Sequence, residues 1–333
     1  MKLVKHKVTG EREYLFDNMK AILIVLVVMG HLLNLVYDQS KAFSTLYTFI
    51  YSFHMPVFIF VSGYFSRNPE KCREQAVEKF LIPYIVFCVL LQVQGRILNI
   101  GIGEEMSIRI LYPQWGLWYL LAIFWWRLFL KDFIRIRFIL PLSILLGVMI
   151  GFSNEFTTFL SISRVFALLF FFLLGYYCTP KVVERIRRFP KILGALCVVI
   201  TASFAYVFVY KLNFEKSILY FRGPYSSEGE LKQALMRLLL YGIAVLMIFA
   251  FINLCGESKN RFTYIGINSV SVYILHLFVV KIIERFFDFN LSVSINLFLI
   301  IIISILIAII AGMPIFTKKI EQLNGWIAKL VFK

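Results

Sequence analysis

Three imidazoles, His31, His54 and His276, each stand inside a run of about 20 mostly apolar residues, long enough to cross a bilayer as a helix. An ionisable group at that depth costs several kcal/mol unless it is paired or hydrated, so each is a functional candidate. Around His31 the spacing is informative. Lys20 precedes it by eleven positions, which at 100° per residue is three turns plus about 20°, so the two share a helix face roughly 16 Å apart. Asn34 and Asp38 continue that face at i+3 and i+7, and Asp17 lies one turn before Lys20. The stripe runs from a cation through an imidazole to a carboxylate. An imidazole, with an ordinary pKa of about 6.5, is suited to taking and returning a proton.

The remaining candidates follow the same logic, each beside a plainer structural reading. Pro56 removes a backbone donor two residues after His54 and predicts a kink that frees the Ser52 carbonyl. Ser269, Tyr273 and His276 fall at i, i+4 and i+7, one face of a late helix. Arg164 lies about two turns into an apolar run, too deep for a membrane-surface anchor. Gln92 and Arg96 share a face of an earlier helix. Trp115, Trp118 and Tyr119 open another run, as an interfacial aromatic belt or as an aromatic platform for a sugar. A lone buried histidine is more often a packing residue, and Lys20 alone reads as a snorkelling anchor. The alignment of Lys20, His31, Asn34 and Asp38 argues against both.

The elements that must position these residues are written in the composition. Hydrophobic residues make up 60% of the 333 and charged ones 16%, with mean hydropathy +0.80. A soluble domain carries about 25% charge, so the chain reads as an all-α polytopic membrane protein. Ten apolar stretches are expected to be helices, because only a helix satisfies its own backbone in hydrocarbon: 20–37, 43–65, 80–100, 115–130, 136–152, 157–178, 191–210, 234–255, 266–287 and 291–316. The organisation is then an N-terminal segment 1–19, a membrane domain 20–316 and a basic amphipathic tail 317–333, expected to form an interfacial helix. The net charge of +16 would suggest nucleic acid in a soluble protein. Here the basic residues cluster in alternate connections, 23 Lys and Arg on one side against 7 on the other. That bias places both termini in the cytoplasm and makes topology, not nucleic acid, the reason for the charge.

Absences narrow the field. The five cysteines form no CxxC pair, which leaves no disulfide framework and no metal site. No phosphate-binding loop, dinucleotide fingerprint, HExxH or GxSxG occurs. Gly101–Ile102–Gly103 is a loop turn.

Several segments together resemble the acyltransferase-3 family of integral membrane acyltransferases. They are Asp17–Asn18–Met19–Lys20 with the later Gly30–His31, and Tyr51–Ser52–Phe53–His54–Met55–Pro56 through Ser62–Gly63–Tyr64. Lys79–Phe80–Leu81–Ile82–Pro83–Tyr84, Trp118–Tyr119–Leu120 and Ser269 through His276 complete the pattern. The similarity is greatest to the short branch of fucose 4-O-acetylases and capsular-polysaccharide O-acetyltransferases, although Lys20 stands where Arg is more frequent. The resemblance implies a multi-pass protein of the bacterial cytoplasmic membrane. It also implies acetyl-CoA as co-substrate from the cytoplasm, with no permanently bound cofactor, and a glycan or lipid-linked sugar hydroxyl as acceptor. On that basis His31 is expected to act as general base, with Lys20 and Asp17 at the CoA mouth. Arg67, Arg73 or Lys79 would stand near them. His54, Asn34, Asp38, Arg164, Trp118, Tyr273 and His276 are expected to bind substrate. Lys20 and His31 are expected to line one continuous tunnel. Two other functions fit ten helices with polar stripes: a lipid-linked sugar carrier, and a non-catalytic subunit of a polysaccharide assembly machine. The first would need intramembrane carboxylates and inverted repeats, and neither is present in the sequence.

Overall fold

The computed structural model describes residues 14–98, 109–113, 115–155, 159–212, 214–226 and 229–331, and all regular structure among them is helical. The first half holds α1 (Tyr14–Leu35), α2 (Lys41–Tyr51), α3 (His54–Tyr64), α4 (Pro69–Glu74), α5 (Ile82–Leu98), α6 (Trp118–Phe133) and α7 (Ile139–Met149). The second holds α8 (Ile162–Tyr177), α9 (Pro180–Arg188), α10 (Lys191–Val207), α11 (Glu230–Leu254), α12 (Thr263–Ile267), α13 (Ser269–Phe286), α14 (Val293–Ala311) and α15 (Pro314–Val331).

Seven helical runs among the described residues are long and apolar enough to cross a membrane: 14–35, 41–64, 77–98, 159–177, 191–212, 230–254 and 293–311. The other three expected spans hold α6, α7 and α13. The first two are short, at 16 and 11 residues, and α13 carries Lys281, Glu284 and Arg285 in its last two turns. Large apolar side chains point outward, Ile192 and Phe298 at 63% exposure each. Water would penalise that surface and lipid does not. The chain is a multi-pass helical membrane protein.

Several boundaries depart from the expected ones for local reasons. α1 begins at Tyr14 rather than near residue 20, so the last part of the expected N-terminal segment is helix; residues 1–13 of it lie outside the described residues, as does the 101–103 turn. α1 also stops at Leu35, and Asp38 falls in a separate turn, Tyr37–Gln39. The expected kink at Pro56 is a full break between α2 and α3, with Phe53 at φ −142°. Pro56 then sits in the first turn of α3, where no N–H donor is needed. The expected 266–287 helix is interrupted at Asn268. The Asn268 amide donates to the carbonyls of Gly312 (2.9 Å) and Tyr264 (3.0 Å), and Ser271 Oγ donates to Ala311 (2.6 Å). These bonds stitch the α12–α13 junction to the α14–α15 junction.

The framework around α1 is tight. α1 packs against α2, α3, α12, α13 and α14, which leaves Leu23, Ile24, Val28 and Leu32 fully buried. α3 crosses α8 with glycine on both sides. A Cβ on Gly63 would collide with the Phe172 carbonyl, and one on Gly175 with the Phe60 carbonyl. Small residues at such a crossing replace the hydrophobic drive that lipid does not supply. This contact fixes His54, on α3, relative to Arg164, on α8.

Candidate active site

One cavity of about 230 Å³ lies inside the bundle, near the Asp38 end of α1. α1 contributes His31 and Asn34, α2 Tyr47 and Tyr51, and α3 His54. Trp115, Gly116 and Trp118 come from the start of α6, Arg164 from α8 and Tyr273 from α13. Tyr220 and Arg222 close it from the 216–222 segment, and Glu284 stands at the rim. Six of the expected site residues, His31, His54, Asn34, Arg164, Trp118 and Tyr273, thus line a single space.

The tautomers of two histidines follow from their partners. His54 Nδ1 lies 2.8 Å from the Ile50 carbonyl, across the α2–α3 break, and His276 Nδ1 lies 2.9 Å from the Val272 carbonyl. A carbonyl only accepts, so in each neutral ring Nδ1 carries the proton and Nε2 keeps its lone pair. His276 is fully buried, and its Nε2 has no hydrogen-bond partner. Its ring centre is 5.1 Å from that of His31. His31 stacks parallel to Trp115 at 6.3 Å. Room for this comes from Gly116: a Cβ there would stand 3.0 Å from Leu277 and 3.5 Å from His31 Nε2. Trp115 itself adopts φ +49°, which turns the chain at this point.

Arg164 donates from Nε to the Tyr220 carbonyl (3.0 Å), and its guanidinium lies 4.7 Å over the Trp118 ring. Tyr47 stacks on Tyr51 at 3.9 Å and donates to the Tyr220 hydroxyl (2.9 Å), making one side of the cavity an aromatic wall. The Tyr273 hydroxyl has no hydrogen-bond partner among the described residues. Tyr119 packs on Tyr273 at 5.2 Å and bonds Ser62 Oγ at 2.5 Å, forming a floor towards the Lys20 end.

Lys20 and Asp17 do not line this cavity. They pair with each other at 2.8 Å, and Lys20 lies 5.9 Å over the Phe65 ring. On α1 the cavity ends at Val27, with Leu23 and Ile24 packed below it. The expected continuous tunnel is therefore closed in this structure by Ile24 on α1 and by the Tyr119–Ser62 floor. Asp38 is also elsewhere: the end of α1 at Leu35 breaks the register, and its side chain, 89% exposed, faces Lys216 at 3.9 Å. Of the basic residues expected beside Lys20, Arg73 is held by Asp132 and the Leu128 carbonyl, and Arg67 by the carbonyls of Tyr176 and Cys178. A second recess of about 390 Å³ at that end carries Glu184 and Glu257 against Arg187, a poor charge balance for a phosphate. Sequence reasoning did not single out Tyr47 and Tyr220. Tyr47, Tyr51 and His54 stand at i, i+4 and i+7 and were open to detection, whereas Tyr220 ends a single short 3-10 turn, Lys216–Tyr220, too brief to show a periodicity.

Fold and cavity together define a polytopic helical membrane protein with a polar site built among its helices. The chain belongs to the acyltransferase-3 family, whose acyltransferase-domain model matches residues 13–316. It is 35% identical over 131 residues to the nodulation protein NolL of Sinorhizobium fredii, covering 34% of this chain and 36% of that protein. It is 39% identical over 93 residues to NolL of Mesorhizobium japonicum, covering 25% of each. The chain thus matches about a third or less of the length of these relatives. No solved structure matches it.

Proposed function

We infer that this family member transfers an acetyl group from acetyl-CoA to a hydroxyl of an envelope glycan, a capsular or exopolysaccharide sugar, across a bacterial cytoplasmic membrane. The observation that carries the reading is the setting of His31. It is an imidazole with no hydrogen bond among the described residues, in a sugar-sized cavity, beside a second imidazole whose Nε2 has no partner among them. The 23-to-7 charge bias orients the cavity mouth outward and Lys20 inward.

In this mechanism CoA stays at the cytoplasmic rim with its phosphates near Lys20, and the acetylated pantetheine arm reaches upward. The floor must open for the thioester to pass, so Tyr119 and Ser62 separate during turnover. The acceptor oxygen attacks the thioester carbonyl carbon while His31 takes the hydroxyl proton. The C–S bond then breaks, and the departing thiolate receives the proton to give CoA-SH. The His276 ring lies beside that of His31 with its Nε2 able to accept, so rotation of the two rings lets His31 donate Nδ1–H to it and present Nε2 as the base, the arrangement that orients a base in hydrolytic triads. The Tyr273 hydroxyl supplies a donor to the oxyanion of the tetrahedral intermediate.

The test is reconstitution of the purified protein in nanodiscs with radiolabelled acetyl-CoA and envelope glycan. His31-dependent label in the glycan is the expected result. Normal labelling by His31→Ala, or none by the wild type, overturns the reading. NMR comparison of O-acetyl signals in glycans from a deletion strain and its parent identifies the sugar.

A further inference from the structure

The charges around the cavity say more about the acceptor. Arg164 is the one formally charged side chain among the described residues within the cavity, below a rim that holds Arg222 and Glu284 with opposite signs. A third cation, Lys281, is 2% exposed and lies 5.1 Å over the Trp115 ring that forms part of the wall. The cavity lining itself thus holds two cations and one carboxylate, with Lys281 behind the wall. Arg164 makes no ion pair among the described residues, and its hydrogen bond to the Tyr220 carbonyl uses Nε alone, which leaves the two terminal nitrogens for whatever enters. Trp118 supports the face of the guanidinium and holds it in plane. An Arg inside a membrane calls for partners, a need that the Tyr220 carbonyl meets only at Nε, and a fixed guanidinium fork is the side chain best matched to two oxygens of a carboxylate or phosphate. A neutral sugar leaves that demand unmet.

We propose that the acceptor is an acidic glycan, and that Arg164 grips a carboxylate or phosphate on the sugar that His31 activates, or on its neighbour. The proposal rests on the acyltransferase reading of the same cavity. Arg222, 5.2 Å over the Tyr220 ring at the mouth, draws the same anion inward. Tyr51, backed by the buried Tyr47 ring, offers the aromatic face for the apolar side of the sugar ring.

Two pairs of matched acceptors test it with the full-length protein in nanodiscs. One pair is a hexuronate-containing oligosaccharide and its carboxyl-reduced form; the other is a phosphodiester-bearing oligosaccharide and its dephosphorylated form. The wild type is expected to prefer the acidic member of one pair by about tenfold or more in kcat/KM, the worth of a charge-assisted hydrogen bond. Which pair shows the preference distinguishes carboxylate from phosphate. Arg164→Gln should collapse the ratio of acidic to neutral acceptor towards one, and Arg164→Lys should restore part of it. Equal use of both members in both pairs by the wild type overturns the proposal. So does an Arg164→Gln loss that is the same for acidic and neutral acceptors, which would place Arg164 on the thioester oxyanion instead. Binding of the same oligosaccharides to His31→Ala, followed through fluorescence of Trp115 and Trp118, reads the preference without turnover. A chain that transfers no acetyl group therefore still confirms the acidic preference or refutes it.

Discussion

The two ends of α1 treat their polar groups in opposite ways. At the Lys20 end the protein supplies the partners. Asp17 pairs with Lys20, and the Asn18 amide donates to the carbonyls of Gly256 and Ser258 while its oxygen accepts from Thr263 (2.7 Å). At the His31 end the protein withholds them. The Tyr273 hydroxyl and His276 Nε2 are buried without a partner, and Arg164 keeps its terminal nitrogens unused. A buried polar atom left unpaired costs about 1–3 kcal/mol. Two such atoms lie close to the cavity that Arg164 lines. The Lys20 end is a finished structural joint that also offers a charge; the His31 end, on the proposed reading, is where substrate binds.

The contrast is sharpest for His31→Ala. Loss of a general base lowers turnover by about 10²- to 10⁴-fold, while the amount of protein in the membrane should stay normal because His31 makes no hydrogen bond that the fold needs. Turnover by radiolabel transfer, set against protein level by immunoblot, checks both halves. A mutant that disappears from the membrane would show that His31 is a structural joint like Asn18.

His276→Phe comes next. The substitution keeps an aromatic ring but removes the Nε2 lone pair of the ring beside His31, and kcat should fall about 10- to 100-fold with little change in the KM for acetyl-CoA, as for other residues that orient a reactive group. A packing role alone would predict a loss of stability and an unaltered pH–rate profile. A positioning role predicts that the acidic limb of the profile moves. Measurement of kcat against pH for wild type and mutant separates the two.

At the other end, Lys20→Met should raise the KM for acetyl-CoA about tenfold, the scale of one charge-assisted contact, with kcat much less affected. Lys20→Arg should restore it. This split, KM at one end of α1 and kcat at the other, is the kinetic form of the contrast. An equal effect on both parameters from either substitution would mean that the two ends act as one site, with the floor at Tyr119 and Ser62 open most of the time.

Much of the cavity was legible in the sequence because lipid makes polar side chains conspicuous. His31, His54, Arg164 and Tyr273 stood out as groups that an apolar run should not contain, and they converge. Periodicity was reliable only inside an unbroken helix. It related Lys20 to His31 on one face of α1, yet could not reveal that Ile24 and the Tyr119–Ser62 pair lie between them, because that pair comes from two other helices, α3 and α6. The break before His54 was foreseeable from Pro56, although its extent was not. Trp115 at positive φ and Tyr220 at the end of a five-residue 3-10 helix carry no periodic signal. The spans at α6, α7 and α13 read as ordinary membrane crossings from hydropathy, whereas the first two are short and the third carries charge; α6 and α13 line the cavity and α7 does not.

Asp38→Asn gives the smallest expected effect and tests where the stripe on α1 ends. An ideal helix would put Asp38 on the same face as His31 and Asn34, as the outer carboxylate of a relay. If that helix persisted during turnover, removing the charge would cost at least tenfold. The chain instead leaves helical geometry at Leu35, before any charged residue, and Asp38 turns to solvent opposite Lys216 at a distance too long for a strong pair. Exposed pairs of this kind contribute little, so kcat and both KM values should stay within about twofold of wild type. A larger loss, measured in the same nanodisc assay, would mean that α1 extends by one turn when substrate binds and draws Asp38 into the cavity.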